Sequence, residues 1–263
     1  MTAYKYILTE TADGVLTLTL NRPEKRNALT PELIGELTTA LSEAAESPCG
    51  VVILTGAGSA FCAGLDLDHL AALATHTHEE NLRDSEDMAQ LLRLVYEFPK
   101  PVIAAVNGPA VAGGMGLATI PDFTLAVPEA KFGYTEVRIG FVPAIVASFL
   151  LRQVGEKRAR DLLLTGRLIK AQEAHEMGLV TQVVPAEQLM PAARTLAQSL
   201  LENSPQALRS VKSLLARHAS RGLEEELADA IATNAQQRST DDFKEGVVAF
   251  LQRRRPAWPS RKQ

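Results

Sequence analysis

The sequence predicts an α/β fold in which short apolar strands alternate with amphipathic helices and a strand-free helical stretch follows. Three observations carry this reading. The first is the junction VIAAVNGPAVAGGMGL at 102–117. An apolar run at 102–106 reads as a buried strand, Asn107-Gly108-Pro109 is turn chemistry, and a glycine-rich loop leads to a helix expected to start at Leu117, Ala118 and Ile120. The second is a like junction, in which the apolar run 50–55 enters a glycine-bearing loop and Asp66 is placed to begin a helix. The third is the loss of strand signals from Ala186 onward, where amphipathic helices follow one another. That change divides the chain into residues 1–185 and 186–263.

The elements follow in order. Residues 4–9 and 15–20 alternate around Asp13-Gly14, a hairpin signal. Leu16, Leu18 and Leu20 share one face, with Thr17 and Thr19 opposite. Residues 21–27 form a charged loop. Thr30-Pro31 opens a helix as N-cap and first residue, with Leu33, Leu37 and Leu41 as its inward stripe, and Ser47-Pro48 ends it. Residues 71–85 show no clear period and read as a mobile surface segment; 88–98 is helical. Strands are expected at 123–127, 130–133 and 180–184, helices at 144–154, 156–164 and 171–177. Four helices then follow at 189–202, 205–218, 223–236 and 240–253.

Composition bounds the function. With 263 residues, 46% hydrophobic and 22% charged, the chain can bury a substantial core as a globular protein. A net charge of −4 gives no general attraction to nucleic acid or to an anionic membrane. The apolar run 141–151 is too short to span a bilayer. Two cysteines, Cys49 and Cys62, make neither a disulfide framework nor a metal cluster. With no signal-peptide pattern at the N-terminus, the expected location is cytoplasmic. His76 and His78 are two residues apart, a spacing that does not face them together on a helix, and no metal site is expected.

The two glycine junctions are where chemistry is expected. A strand that passes through glycine into a helix leaves backbone N–H groups unpaired at the helix start, aimed at negative charge. Two such junctions can bring two donors onto one carbonyl. Close backbone packing is the other use of the same glycines. Gly56-Ala57-Gly58 does not make a dinucleotide site, because the sixth position is Phe61 and the helix starts too late. Ser59 lacks the nucleophile elbow, and Cys62 reads as a small buried hydrophobe rather than a nucleophile.

Four segments together are specific: LNRPEKRNAL at 20–29, GSAFCAGLDL at 58–67, PVIAAVNGPAVAGG at 101–114 and AKFGYTEVRIGFVP at 130–143. In this order, and over nearly the whole chain, the sequence resembles the crotonase superfamily, the enoyl-CoA hydratase/isomerase family. The resemblance implies a crotonase-like spiral of ββα units, with a C-terminal helical region that packs subunits into a homotrimer or a homohexamer. It implies an acyl-CoA thioester substrate whose oxygen meets the amides of Ala63 and Gly113. Gly64, Leu65 and Asp66 would line the thioester end of CoA; Asp66 reads equally as a helix N-cap. Lys25 and Arg26 would lie along the CoA phosphates, or be solvated surface charge. Lys244 and Arg253-Arg254-Arg255 could reach a neighbour's CoA, though a basic cluster at a helix end explains the arginines. No cofactor is implied beyond the CoA carried by the substrate.

The family uses up to two glutamates. One matches Glu136, whose burial against Phe132, Ile139 and Phe141 would favour the acid form. The other position holds Gly116. Hydration of a 2-enoyl thioester ordinarily uses two carboxylates, whereas shifting a double bond from the 3- to the 2-position needs one base. Gly116 therefore tilts the expectation towards isomerisation, leaves hydration by Glu136 alone open, and leaves room there for a substrate group. A non-catalytic scaffold that binds CoA or RNA is the competing class.

Overall fold

Asp13 and Gly14 both take positive φ, 51° and 78°, the pair of left-handed residues that a tight hairpin turn requires. They join β1 (Ile7–Ala12) to β2 (Val15–Leu20) in antiparallel register, Ala12 opposite Val15. This computed structural model describes residues 4–73, 75–218 and 241–262, apart from 243, 244, 246–248, 250, 251 and 253. The expected helix at 223–236, most of that at 240–253, and Lys244 and Arg253 lie outside the described residues.

From β2 onward the main sheet is parallel. It runs β1-β2-β3-β4-β6-β9, with β3 at Val51–Gly56, β4 at Val102–Val106, β6 at Phe123–Ala126 and β9 at Gln182–Val183. β3 and β4 are buried on both faces, as uninterrupted apolar runs in parallel sheets are. A smaller sheet, β5-β7-β8, joins Ala110–Val111, Lys131–Gly133 and Ile169–Lys170. The expected two-faced β2 is instead covered on both sides, and Thr17 is buried with the leucines.

The crossover helix α1 (Pro31–Glu46) begins as expected, with the Thr30 hydroxyl accepting from the Leu33 amide and Leu33, Leu37 and Leu41 buried. Between β3 and β4 lie α2 (Leu67–Leu73) and α3 (His78–Tyr96). The segment expected to be irregular is thus largely helical. Thr77 and Glu80 form a reciprocal capping box, while the apolar stripe of α3 starts only at Met88, so its first turns show no hydrophobic period.

Helix α4 (Gly113–Thr119) starts four residues before the expected Leu117, and its first turn is the glycine pair itself. α5 (Ala144–Thr165) is two helical stretches joined at Gly155 (φ 74°, ψ 170°), the expected break. After α6 (Ala171–Glu176) come α7 (Leu189–Leu201) and α8 (Pro205–His218). α7 packs on β2, β3, β4 and β6 through buried Leu189, Ala193, Ala197 and Leu200. The change at Ala186 is therefore a change of element type; the core continues across it.

Candidate active site

The two glycine junctions meet backbone to backbone. Cys62 bridges Ala110, the amides of Phe61 and Cys62 donate to the Pro109 carbonyl at 3.1 and 3.2 Å, and Val111 donates back to the Cys62 carbonyl at 3.0 Å. A Cβ on Gly108 would lie 2.3 Å from the Ser59 carbonyl oxygen, and one on Gly114 would lie 2.3 Å from that of Cys62. Neither position admits a side chain, so close packing is one real use of these glycines. Two asparagines, Asn27 and Asn107, hold the same loop. Asn27 Nδ2 donates to the carbonyls of Ala57 and Ala60 (2.9 and 2.8 Å), and Asn107 Nδ2 donates to that of Gly58 (2.9 Å).

Ala112 caps α4 with φ 53° and ψ −127°, a region that side-chain-bearing residues seldom occupy. The turn is held by the Ala112 amide donating to the Gly133 carbonyl at 2.8 Å. It sets Gly113 and Gly114 in the first helical turn, where an amide has no carbonyl four residues back to bond. Leu29 and Met88 stand beside Gly113, 3.4 and 3.5 Å from where a Cβ would be. Ala63 is also half-buried beside this junction, but its amide donates to the Arg26 carbonyl at 3.0 Å. The free donor expected there is already engaged. Arg26 and Asn27 both take positive φ, 51° and 56°, to bring that carbonyl in.

The strand that pairs with β5 also leads to Glu136. Val111 lies opposite Gly133, and three residues later a short 3-10 turn, Glu136–Ile139, begins. Glu136 is 8% exposed and its Oε2 is buried without a hydrogen-bond partner. Burial pushes its carboxyl above the ordinary range, against a smaller opposing effect of its own backbone amide. The source of that burial is partly not the expected one. Phe132 is buried, but Ile139 and Phe141 are 63% and 45% exposed. Tyr134, fully enclosed, is near enough for the Glu136 charge to help raise its phenol.

Gly116 is buried, and the space expected beside it is filled. A Cβ there would meet Val146 Cγ1 at 3.0 Å and Leu92 methyls at 3.4 and 3.5 Å. An apolar contact fills the position that a second carboxylate, or a substrate group, would occupy. Asp66 does cap α2, accepting from the Asp68 amide at 3.0 Å. Its other oxygen pairs with Arg22 at 3.0 Å, the two side chains 6% and 11% exposed. Burial alone would raise the Asp66 carboxyl; the Asp68 amide and the Arg22 guanidinium outweigh it and hold the group below its ordinary range. Arg22 also donates to the Ala28 carbonyl. The sequence reading missed it, because nothing in spacing links Arg22 to a carboxylate in the next junction.

Gly64 takes φ 87° against Ala112, and Leu65 bridges Leu29, so both belong to the joined loops. Lys25 and Arg26 are exposed, Lys25 within 3.5 Å of Asp68. Cys62 is enclosed and burial pushes its thiol up to about 12, which leaves it an inert hydrophobe. Among the described residues no group of three or more His, Cys, Asp or Glu could hold a metal ion. No helix among them is long and apolar enough to cross a membrane.

Comparison with known proteins identifies the family and the fold. The family model described as enoyl-CoA hydratase/isomerase matches residues 10–261. A provisionally named enoyl-CoA hydratase of Thermus thermophilus is 47% identical over 92% of this chain and 96% of its own. The 2,3-dehydroadipyl-CoA hydratase of Escherichia coli K12 is 36% identical over 94% and 96%. The crystal structure of an enoyl-CoA hydratase from Mycobacterium smegmatis superposes with a TM-score of 0.92 at 32% identity, covering 97% of this chain and 99% of that one. The mixed α/β architecture with its joined glycine junctions is thus the crotonase fold, and the chain belongs to the enoyl-CoA hydratase/isomerase family of acyl-CoA-processing enzymes.

Proposed function

We propose that the protein adds water across the double bond of a 2-enoyl-CoA, with Glu136 as its single general acid/base. The observation that carries this is the buried, unpartnered Oε2 of Glu136, which lies three residues along the chain from the Gly133 carbonyl that holds the α4 turn. A buried carboxylate oxygen left without a partner costs stability, and a substrate water or α-proton supplies the missing contact. In this reading Glu136 takes a proton from water as the oxygen adds to C3. Negative charge moves to the thioester oxygen, and the protonated carboxyl then delivers hydrogen to C2. The raised Glu136 carboxyl suits both halves of that exchange.

The thioester oxygen is proposed to sit at the amides of Gly113 and Ala63. Preorganised donors there stabilise the enolate, each contributing on the order of 3–4 kcal/mol to lowering the barrier. The Ala63 hydrogen is shared with the Arg26 carbonyl or released from it when the ligand arrives. Gly64, Leu65 and Asp66 border the thioester end; Lys25 and Arg26, exposed nearby, are the proposed contacts for CoA phosphate. No metal or redox cofactor enters this chemistry; CoA arrives with the substrate. Subunits are proposed to form a homotrimer or a dimer of trimers, with Val211 and Leu215 on the exposed side of α8 among the apolar residues to be covered. Light scattering that gives a monomer at micromolar concentration removes that part.

A second reading is isomerisation of 3-enoyl to 2-enoyl-CoA. It is favoured by Gly116, where Val146 and Leu92 leave no second carboxylate. One base is enough to carry a proton between the α and γ carbons. The deciding assay follows crotonyl-CoA and 3-hexenoyl-CoA by absorbance. Loss of the enoyl chromophore from the first supports hydration, and its appearance from the second supports isomerisation. No change with either across several chain lengths leaves a non-catalytic scaffold.

A further inference from the structure

Helix α2 has seven residues and none of them is buried. So short a helix does not hold itself together, and none of its apolar side chains is fully buried to anchor it. Polar ties hold it. At its start Asp66 is paired with Arg22. At its end the Leu73 carbonyl accepts from Asn81 Nδ2 at 3.2 Å. In its middle His69 Nε2 stands 2.6 Å from Asp84 Oδ1, with the two side chains only 11% and 20% exposed. His76 lies edge-on to the His69 ring, 6.4 Å away.

The placement of this pair follows from α3. Val95, Leu92, Leu91 and Met88 form its buried stripe, and Asp84 continues that stripe one turn earlier. Leu92 lies against Gly116 and Met88 against Gly113. The two helices therefore ascend in the same direction, and Asp84 stands beyond the N-terminal end of α4, on the side to which its first-turn amides point. α2 in turn follows directly on Ala63, Gly64 and Leu65. His69–Asp84 joins the helix that leaves one donor loop to the helix that rests on the other.

We infer that His69 and Asp84 are a positioning couple that sets the two halves of the oxyanion site against each other. This rests on the acyl-CoA reading above. Neither group touches the reacting atoms; in addition to the backbone bonds that join Cys62 to Pro109 and Val111, the pair ties α2, and with it the C-terminal end of the Ala63–Asp66 loop, to the helix that rests on Gly113. A donor misplaced by about 1 Å can cost up to ~10²-fold in rate without weakening substrate binding.

The test uses the full-length protein saturated with an aryl-conjugated enoyl-CoA. Polarisation of the bound thioester carbonyl shifts that chromophore to longer wavelength, a property of each bound molecule and independent of how much protein is folded. His69→Leu is expected to lose most of the red shift and to lower kcat about tenfold or more, with KM for crotonyl-CoA within about twofold. His69→Gln keeps a donor for Asp84 and is expected to recover over half of the shift. A full shift and unchanged kcat in His69→Leu overturns the inference, as does equal loss in the Leu and Gln variants. Should His69→Leu not fold, Asp84→Asn carries the same expectation with a smaller loss, and an unchanged shift there overturns it. A wild-type protein that produces no shift and no turnover sinks the acyl-CoA reading itself, which is a different result.

Discussion

Glu136→Gln removes the proposed general acid/base while keeping its shape, and its two effects should run in opposite directions. Loss of a positioned general acid/base costs about 10²–10⁴-fold in kcat, or about 2.7–5.5 kcal/mol of barrier. Stability should move the other way. Burial raises the folded-state Glu136 carboxyl above its ordinary value, so between the unfolded and folded pKa values the native state binds more protons than the unfolded one. Stability contributed by this group is then present at low pH and lost as pH rises through that window. Glutamine carries no charge to desolvate, so the variant is relieved of that loss at neutral pH and gains little at acid pH. For a chain of this size, about 1 kcal/mol moves the thermal midpoint by roughly 2–4 °C. The assay is paired: steady-state hydration of crotonyl-CoA, and thermal melts at pH 5 and pH 8. Activity within about threefold of wild type refutes Glu136 as the base. A midpoint that drops more at pH 8 than at pH 5 refutes the account of its burial.

Three further substitutions or probes test the surroundings. Gly116→Glu should not restore a two-carboxylate site, because its Cβ meets Val146 at 3.0 Å; overpacking of this kind costs about 1–3 kcal/mol, and adding Val146→Ala should recover part of the lost thermal midpoint. Arg22→Met leaves the Asp66 carboxylate buried without its cation, so urea melts at pH 7 should show a loss of about 3–5 kcal/mol. The wild-type pair contributes stability above the ordinary carboxylate range and loses it as pH falls through the lowered Asp66 value. The variant's deficit should therefore shrink at low pH; a deficit independent of pH argues against the pair. Cys62, with its thiol pushed up to about 12 by burial, should resist a disulfide reagent in the native protein and react only as fast as the chain unfolds; prompt labelling of that site refutes its enclosure.

Some of this was legible in the sequence because the determining interactions are local. The β3 and β4 runs, the Thr30-Pro31 start of α1 and the Asp13-Gly14 turn each carry their own signal within a few residues. The junction at 102–117 was legible as strand, turn and helix, but not the start of α4, since Gly113-Gly114 are poor helix formers held there by the Ala112 turn and its bond to Gly133. What escaped is what depends on pairing across distance. Arg22 finds Asp66, and His69 finds Asp84, only after the loops are folded onto each other. The Arg26 carbonyl on the Ala63 amide has no side-chain signature at all.

That last contact bears on the proposed donor pair. A donor pair described from motif alone is imagined as vacant, yet one of its two amides is bonded to the chain's own backbone. The carbonyl that holds it belongs to Arg26, in a left-handed conformation that costs on the order of 1 kcal/mol to maintain, followed by Asn27 in the same region. Strain of this kind persists only where neighbours enforce it, and here they are identifiable: Asn27 is tied to the Ala57 and Ala60 carbonyls, and Arg22 to Ala28 and Asp66. The loop that would contact CoA through Lys25 and Arg26 is thus the same loop that occupies a donor. On the proposed reading, contact of Lys25 and Arg26 with the nucleotide end of the substrate would move the carbonyl that engages the Ala63 amide. Pantetheine-length thioesters, which lack the nucleotide, should then lose kcat and not only raise KM, and a kcat equal to that of the CoA ester argues that the amide is available without any movement of this loop.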